Sequence, residues 1–298
     1  MIKKTIYCGS PAYLSVKHDQ LVIHHREDDK LDTLIPIEDI GYLELDNSLI
    51  TLSMPLLNTL LAENCAVGIC DSSHIPSGLL LPLSGHSLHT ERIRPQIETS
   101  LPIKKRMWQS TIKQKIKNQS AVLSKYDKSY ERVFSKVDKV MSGDSSNQEG
   151  QAASIYWKAL FGKSFIRDRY GEYPNNLLNY GYAVLRAIIA RAIVSTGLHP
   201  AIGIHHKNRA NPFCLADDVM EPFRPFVDDI VYSIWLENPS ATILDRNHKQ
   251  VLLNIPVIDT IIDDERRPLM NAASITASSI WKCFVGESKS PTYPLLKG

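Results

Sequence analysis

The hydrophobic period of this 298-residue chain changes once, near residue 85, and that change limits the folds open to it. Before it, apolar residues come in short runs suited to a pleated surface and separated by turn formers. The runs are Thr5-Ile6-Tyr7-Cys8, Tyr13-Leu14-Ser15-Val16, Gln20-Leu21-Val22-Ile23-His24, Asp32-Thr33-Leu34-Ile35-Pro36 and Gly41-Tyr42-Leu43-Glu44-Leu45. One helix fits Ile50 to Ala62, and Ala66-Val67-Gly68-Ile69-Cys70 reads as another strand. Pro76-Ser77-Gly78, Pro82 and Ser84-Gly85 then break the pattern. From Leu101 to Met141, apolar residues return in steps of three and four: Trp108, Ile112 and Ile116, then Leu123, Tyr126, Tyr130, Val133, Val137 and Val140. Lys125, Lys128, Arg132, Lys136 and Lys139 fall between the second set, which predicts an amphipathic helix with a basic outer side. Further helices are expected from Glu149 to about Phe161, and over Asn175 to Thr196, Phe213 to Asp228, Ile255 to Asp263 and Asn271 to Phe284. The expected fold is α+β and multidomain, a small N-terminal mainly-β domain followed by a larger all-α domain. Its parts are a β-rich domain over residues 1–85, a linker over 86–100, an α-helical domain over 101–285 and a flexible tail over 286–298.

An apolar fraction of 43% supplies an ordinary core. No apolar run approaches the roughly 20 residues of a spanning helix, and Met1-Ile2-Lys3-Lys4-Thr5 lacks the apolar stretch of a signal peptide. A cytoplasmic protein without a membrane partner is expected. Five cysteines, an odd number lying mostly in apolar runs, read as buried free thiols. The net charge of +2 conceals a division: residues 1–90 hold 5 Lys and Arg against 11 Asp and Glu, while residues 91–140 hold 13 against 5. The basic stretch fits a polyanion, although lysines on a helix are also an ordinary solvated face. The acidic first part is a poor surface for nucleic acid and a better one for contacts between copies.

Three segments carry candidate chemistry. Ser142-Gly143-Asp144-Ser145-Ser146-Asn147 supplies helix caps and puts Glu149 in the first turn of the next helix, beside the small residues Gly150, Ala152 and Ala153. A first-turn acid is also favoured by the helix dipole for structural reasons alone. His205 and His206 are adjacent, so only one of them points easily into a given site, and Lys207, Asn208 and Arg209 beside them form a phosphate-gripping patch. In Asp217-Asp218-Val219-Met220-Glu221, acids three and four apart share a helix face, where like charges destabilise unless a cation compensates them. Pro222 and Pro225 imply an interrupted, strained backbone there. Two carboxylates and an imidazole suit a hard divalent cation with open positions, Mg²⁺ or Mn²⁺ acting on phosphates.

Four stretches together give a family likeness: Glu149-Gly150-Gln151-Ala152-Ala153, Asn179-Tyr180-Gly181-Tyr182-Ala183-Val184-Leu185, Gly203-Ile204-His205-His206, and Asp218-Val219-Met220-Glu221-Pro222-Phe223-Arg224-Pro225-Phe226-Val227-Asp228. In this order and spacing the chain resembles, over nearly its whole length, the CRISPR-associated integrase, the nuclease that inserts new spacers during adaptation. The His-His-Lys-Asn and Leu-Ala-Asp-Asp wording looks most like the version of type II systems, subtype C. The resemblance implies that Glu149, His206 and Glu221 are the catalytic metal ligands. The family usually has two apolar residues between the glycine and the histidine, and here His205 fills the second place, so His206 keeps the register to Gly203 and Glu221. Asp218, with His205, becomes an auxiliary group supporting the ligands.

The resemblance further implies a homodimer, a small dimeric adaptation partner protein, and double-stranded DNA as both donor spacer and repeat target. The expected reaction is transesterification, a donor 3′-hydroxyl attacking a phosphodiester at a repeat edge. DNA contacts are expected from Lys207, Arg209 and Arg224 near the metal, from Lys104, Lys105, Arg106, Lys113, Lys115 and Lys117 on the basic stripe, and from Arg167, Arg169 and Tyr180. A stand-alone nuclease of branched DNA and a non-catalytic DNA-binding scaffold are the alternatives.

Overall fold

Alternating burial builds the first part of the chain. In the strand Ala12–Lys17, Ala12 and Leu14 are buried while Tyr13 and Lys17 face out, the two-residue period of a half-buried strand. A computed structural model describes residues 3–26, 31–83, 85–239 and 241–297. Met1, Ile2, Ser84 and Gly298, to which the sequence reading extends, lie outside the described residues. The chain divides into two compact units, Met1–Ser87 and Leu88–Gly298.

The first unit contains β1 (Lys4–Cys8), β2 (Ala12–Lys17), β3 (Gln20–His25), β4 (Thr33–Pro36), β5 (Ile40–Leu45), β6 (Thr51–Leu52), α1 (Met54–Ala62), β7 (Ala66–Cys70) and β8 (Pro76–Leu80). Two four-stranded sheets result, ordered β1-β5-β7-β8 and β4-β3-β2-β6. Between β2 and β3, His18 and Asp19 both have positive φ, as a tight two-residue hairpin turn of the primed kind demands. Leu56 and Leu60 of α1, one turn apart, join Leu14, Leu21, Ile40, Leu43 and Val67 in one apolar core. The helix begins only at Met54, because Ser53 accepts a hydrogen bond from Leu56 N and caps it.

The second unit contains α2 (His89–Glu98), α3 (Leu101–Lys125), α4 (Glu131–Phe134), α5 (Gln148–Phe161), α6 (Asn175–Ser195), α7 (Cys214–Met220), α8 (Arg224–Glu237), α9 (Arg246–Leu252), β9 (Asp259–Ile262), β10 (Glu265–Pro268) and α10 (Leu269–Phe284). Four sequence expectations change here. Residues 86–100 do not form a loose linker: α2 is docked, with buried Gln96 Nε2 donating to the carbonyls of His199 and Ile202 at 2.9 and 2.8 Å. The helix expected up to Met141 stops at Lys125, because Asp127 takes a positive φ and the Lys128 amide turns back to the Leu123 carbonyl. Val133, Val137 and Val140 are buried all the same, through a short helix and turns. Residues 259–268 form an antiparallel hairpin instead of a helix, with Asp263 and Asp264 both at positive φ in its turn. The tail is anchored: Tyr293 is buried with its hydroxyl 2.7 Å from Thr111 Oγ1, and Leu295 bridges Ile261.

The centre of the unit is α6. By length and hydropathy it is apolar enough to cross a membrane, but 83% of its most apolar window is buried inside the unit, the surroundings of a core helix. Gly181 permits its close approach to α8, since a Cβ there would stand 2.5 Å from Val227 Cγ1. Gly197, at positive φ, ends the helix, and the Leu198 amide returns to the Ile193 carbonyl.

Candidate active site

The site is assembled on the polar side of α3. Thr111, Ile112, Lys115, Asn118 and Gln119 fall at helical spacing on one face, and all but Lys115 are fully buried. The Lys115 side chain is itself only 11% exposed. Asn118 Nδ2 donates to the carbonyls of Pro222 and Pro294, at 2.7 and 3.0 Å, tying the helix to the Glu221 segment and to the C-terminal tail.

Glu149 arrives from the start of α5. Asp144 accepts from the backbone amides of Gln148 and Glu149 at 2.8 and 3.0 Å, and Asn147 accepts from Gly150. The first-turn amides are thus satisfied by residues upstream, leaving the Glu149 carboxylate to reach away from the helix. Its Oε1 accepts from Lys115 Nζ at 2.6 Å.

Glu221 sits where α7 passes into α8. Met220, Glu221, Phe223 and Arg224 all have right-handed helical angles, so the expected strained break is absent. Pro222 falls at the start of the tight turn Glu221–Phe223 and Pro225 at the start of α8, positions whose amide hydrogens would lack helical partners anyway. Glu221 is 5% exposed. Its Oε2 accepts from Lys115 Nζ at 2.6 Å and its Oε1 from Arg224 Nε at 2.9 Å. Burial pushes this carboxyl up, but the Arg224 and Lys115 cations outweigh it and hold the group well below the usual carboxylate range. Burial likewise pulls Lys115 down, and the two glutamates more than offset it, so the ammonium stays charged.

The histidine comes on a loop wrapped around Asp218. That fully buried carboxylate accepts from the backbone amides of Ile204, His205 and His206, at 2.6, 2.8 and 3.1 Å, and from His206 Nδ1 at 2.5 Å. Gly203 makes the wrap possible, because a Cβ there would lie 2.5 Å from the His206 carbonyl and 2.9 Å from Asp218 Oδ2. The Asp218 bond raises the His206 pKa above its ordinary value despite partial burial, and fixes the ring by Nδ1 with Nε2 directed elsewhere. His205 is used differently, stacked parallel on the buried Trp108 indole with ring centroids 4.2 Å apart.

Beside these groups lies a cleft of about 150 Å³, lined among others by Lys115, Arg167, Tyr182, Glu221, Arg224 and Asp228. The guanidinium carbons of Arg224 and Arg167 stand 4.6 and 5.3 Å from the Tyr182 ring centroid. The Tyr182 hydroxyl donates to Asp228, as does that of Tyr156. Burial pushes Asp228 up to about 7, against the pull of the two phenols and the two arginines.

The expected ligands do not converge on one point as they stand. Among the described residues, no three His, Cys, Asp or Glu side chains are grouped closely enough for a metal ion. The ammonium of Lys115 stands between Glu149 and Glu221, so this lysine leaves the expected surface stripe and belongs to the site. Lys105, Arg106, Lys117, Lys207, Arg209 and Arg169 are exposed, and Lys104 and Lys113 are half-buried. Burial and the charge of Lys207 together lower the Lys104 pKa, which joins the start of α3 to the histidine loop as one positive region. Tyr180 is fully buried core and cannot line a channel as built.

Residues 6–264 match the family model described as CRISPR associated protein Cas1. The chain belongs to the Cas1 family. It is 34% identical over 264 residues to the CRISPR-associated endonuclease Cas1 of Neisseria meningitidis serogroup C (strain 8013), covering 88% of this chain and 85% of that protein. A casposase bound to integration product has the same fold, with a TM-score of 0.79 at 19% identity over 97% of this chain and 92% of that one. A chain of a Cas6-RT-Cas1–Cas2 complex matches with a TM-score of 0.71 at 18% identity; 97% of this chain is covered and 36% of that longer one. In this Cas1-family chain, the inward role of Lys115 and the Tyr156-Tyr182-Asp228 network escaped the sequence reading. The available signal was spacing: Lys115 shares a helix face with Thr111, Ile112, Asn118 and Gln119, where an exposed lysine has no place.

Proposed function

We propose that this Cas1-family protein is a divalent-metal-dependent DNA endonuclease and integrase that inserts short spacers into a CRISPR array. One observation carries the reading: two carboxylates from separate helices share a single cation, the Lys115 ammonium, beside a histidine whose Nδ1 is anchored to a buried carboxylate. The ammonium serves as a stand-in that tests the fit, since a donor set able to hold one cation between Glu149 and Glu221 has the charge for another. Glu149, Glu221 and Nε2 of His206 would hold Mg²⁺ or Mn²⁺, with Asp218 fixing the tautomer. A divalent ion bound there supplies Lewis-acid polarisation of the scissile phosphate and counter-charge to the pentacovalent state.

The chain's own residues position the DNA. Arg224 and Arg167, stacked at Tyr182, face a cleft sized for a phosphate group, and Lys207, Arg209 and Lys104 extend the grip along the backbone. A phosphorus–oxygen bond forms to the donor 3′-oxygen while the bond to the neighbouring 3′-oxygen breaks; the proton of the attacking hydroxyl passes to solvent and the leaving oxygen is reprotonated. Double-stranded DNA, a second copy of the chain and a small dimeric Cas2-like protein are the proposed partners, in a cytoplasmic setting and with a type II, subtype C flavour. The casposase–product and Cas1–Cas2 likenesses support the DNA and the protein partner respectively.

The test is a short donor duplex with a supercoiled plasmid bearing repeats, assayed with and without Mn²⁺. Joined product should require the metal and vanish in Glu149→Gln, His206→Ala and Glu221→Gln, each still folded and DNA-bound. Hydrolysis without joining would leave only a nuclease, and unaltered joining in all three variants would end the proposal.

A further inference from the structure

We infer that Lys115 is a built-in counter-ion that occupies the cation position between Glu149 and Glu221 in the resting protein and must swing out of it for a divalent ion to enter. The inference rests on the metal reading above and adds a residue to it. Lys115 Nζ lies 2.6 Å from Glu149 Oε1 and 2.6 Å from Glu221 Oε2, so it fills the space a small cation between those oxygens would need. Two positive charges cannot share that space in a largely desolvated site. Arg224 does not compete in the same way, because it holds the other oxygen of Glu221.

The lysine also has somewhere to go. Lys115 itself lines the cleft, together with Arg167, Tyr182, Arg224 and Asp228, where a DNA phosphate is proposed to sit. Lys115 there becomes a phosphate-positioning residue, its three ammonium donors turned from carboxylate to phosphodiester oxygens. The lysine thus keeps two mutually repelling carboxylates together in the absence of metal, lowers the affinity for the metal, and links metal entry to substrate binding.

Wild-type protein treated with an amine-acylating N-hydroxysuccinimide ester and mapped by peptide mass spectrometry reads this directly. Lys115 should be shielded without metal and modified several-fold faster at saturating Mn²⁺, with exposed Lys117 as an unchanged internal reference. Calorimetric titration of Lys115→Met with Mn²⁺ should show affinity about tenfold tighter or more, the scale of removing a neighbouring unit charge. Mn²⁺ binding that depends on Glu149 and Glu221, with Lys115 still shielded, overturns this inference alone. Mn²⁺ binding that is absent, or that survives Glu149→Gln and Glu221→Gln, overturns the metal site as well. The labelling arm needs no variant, so misfolding of Lys115→Met leaves the test intact.

Discussion

Asp218→Asn is the most informative single change, because four hydrogen bonds end on one buried carboxylate. Oδ2 accepts from the amides of Ile204 and His205, and Oδ1 from the amide and Nδ1 of His206. An asparagine has one acceptor oxygen, and the less damaging orientation keeps it where Oδ2 was, facing two backbone amides. The new NH₂ then faces the His206 amide and ring. The ring can accept from it only by moving its proton from Nδ1 to Nε2, while the His206 amide loses its partner. Losing one charge-assisted bond and weakening the others amounts to about 2 kcal/mol after discounting for the half-exposed histidine. For a unit of roughly two hundred residues that lowers Tm by about 4 to 8 °C. If His206 ligates the metal as proposed, the functional loss would be larger, since an Nε2 that carries hydrogen cannot ligate, and second-layer losses of this kind weaken metal binding about 10 to 100-fold. ¹⁵N NMR of histidine-labelled protein shows the tautomer directly, and it should also show the His206 titration midpoint falling once the main influence raising it is gone. An Asp218→Asn protein with an unchanged His206 tautomer, midpoint and Mn²⁺ affinity would refute the reasoning.

Two other outcomes follow from the same geometry. Asp228 holds its proton up to about pH 7 in the fold against an ordinary value of 3.8, so the folded state binds that proton more tightly than the unfolded chain. Its contribution is therefore complete below about pH 4 and is lost as pH rises through about 7, by on the order of 4 kcal/mol at most. Urea melts from pH 5 to 8 should show wild type losing more stability than Asp228→Asn, which retains only the smaller slope from groups such as His206; parallel curves would contradict this. In DNA binding, replacing Lys207 and Arg209 by alanine should weaken affinity equally for all sequences and reduce the log–log salt slope by about 2. A slope that does not change would make that patch an ordinary solvated surface.

What the sequence makes legible here is burial, and what it leaves hidden is continuity. Val133, Val137 and Val140 are spaced for one buried face and are buried, yet the helix that spacing predicts ends at Lys125 because Asp127 adopts a left-handed angle. Period reports which side chains point inward and says nothing about whether the backbone between them stays helical. Pro222 and Pro225 mislead in the opposite sense. They read as breakers within Phe213 to Asp228, but each falls near the beginning of a helical segment, where proline costs little. Glu149 in a capped first turn was readable from Asp144 and Asn147, since capping is local chemistry. For Lys115, spacing marks the helix face it shares but not the partners it meets there, because those are two glutamates 34 and 106 residues away.

The charge count at the site explains why these distant residues act together. At rest, Glu149 and Glu221 are balanced by Lys115 and Arg224, and Asp218 by the amides and ring wrapped around it. Burial makes that balance compulsory, because an unpaired charge in so little solvent would cost several kcal/mol. Adding a divalent ion without compensation leaves an excess of two positive charges, and moving the ammonium of Lys115 into the adjoining cleft redistributes that excess without removing it. A DNA phosphate in the cleft, lying as proposed between the displaced lysine, Arg167 and Arg224, would remove part of it. On the proposed metal reading, metal and DNA would therefore favour each other's binding, and because coupling is reciprocal, DNA would tighten metal binding by the same factor that metal tightens DNA binding. The same neutrality that lets α3, α5 and the α7–α8 junction bury their polar groups together would thus, on the proposed reading, bias the resting site against metal until DNA is present.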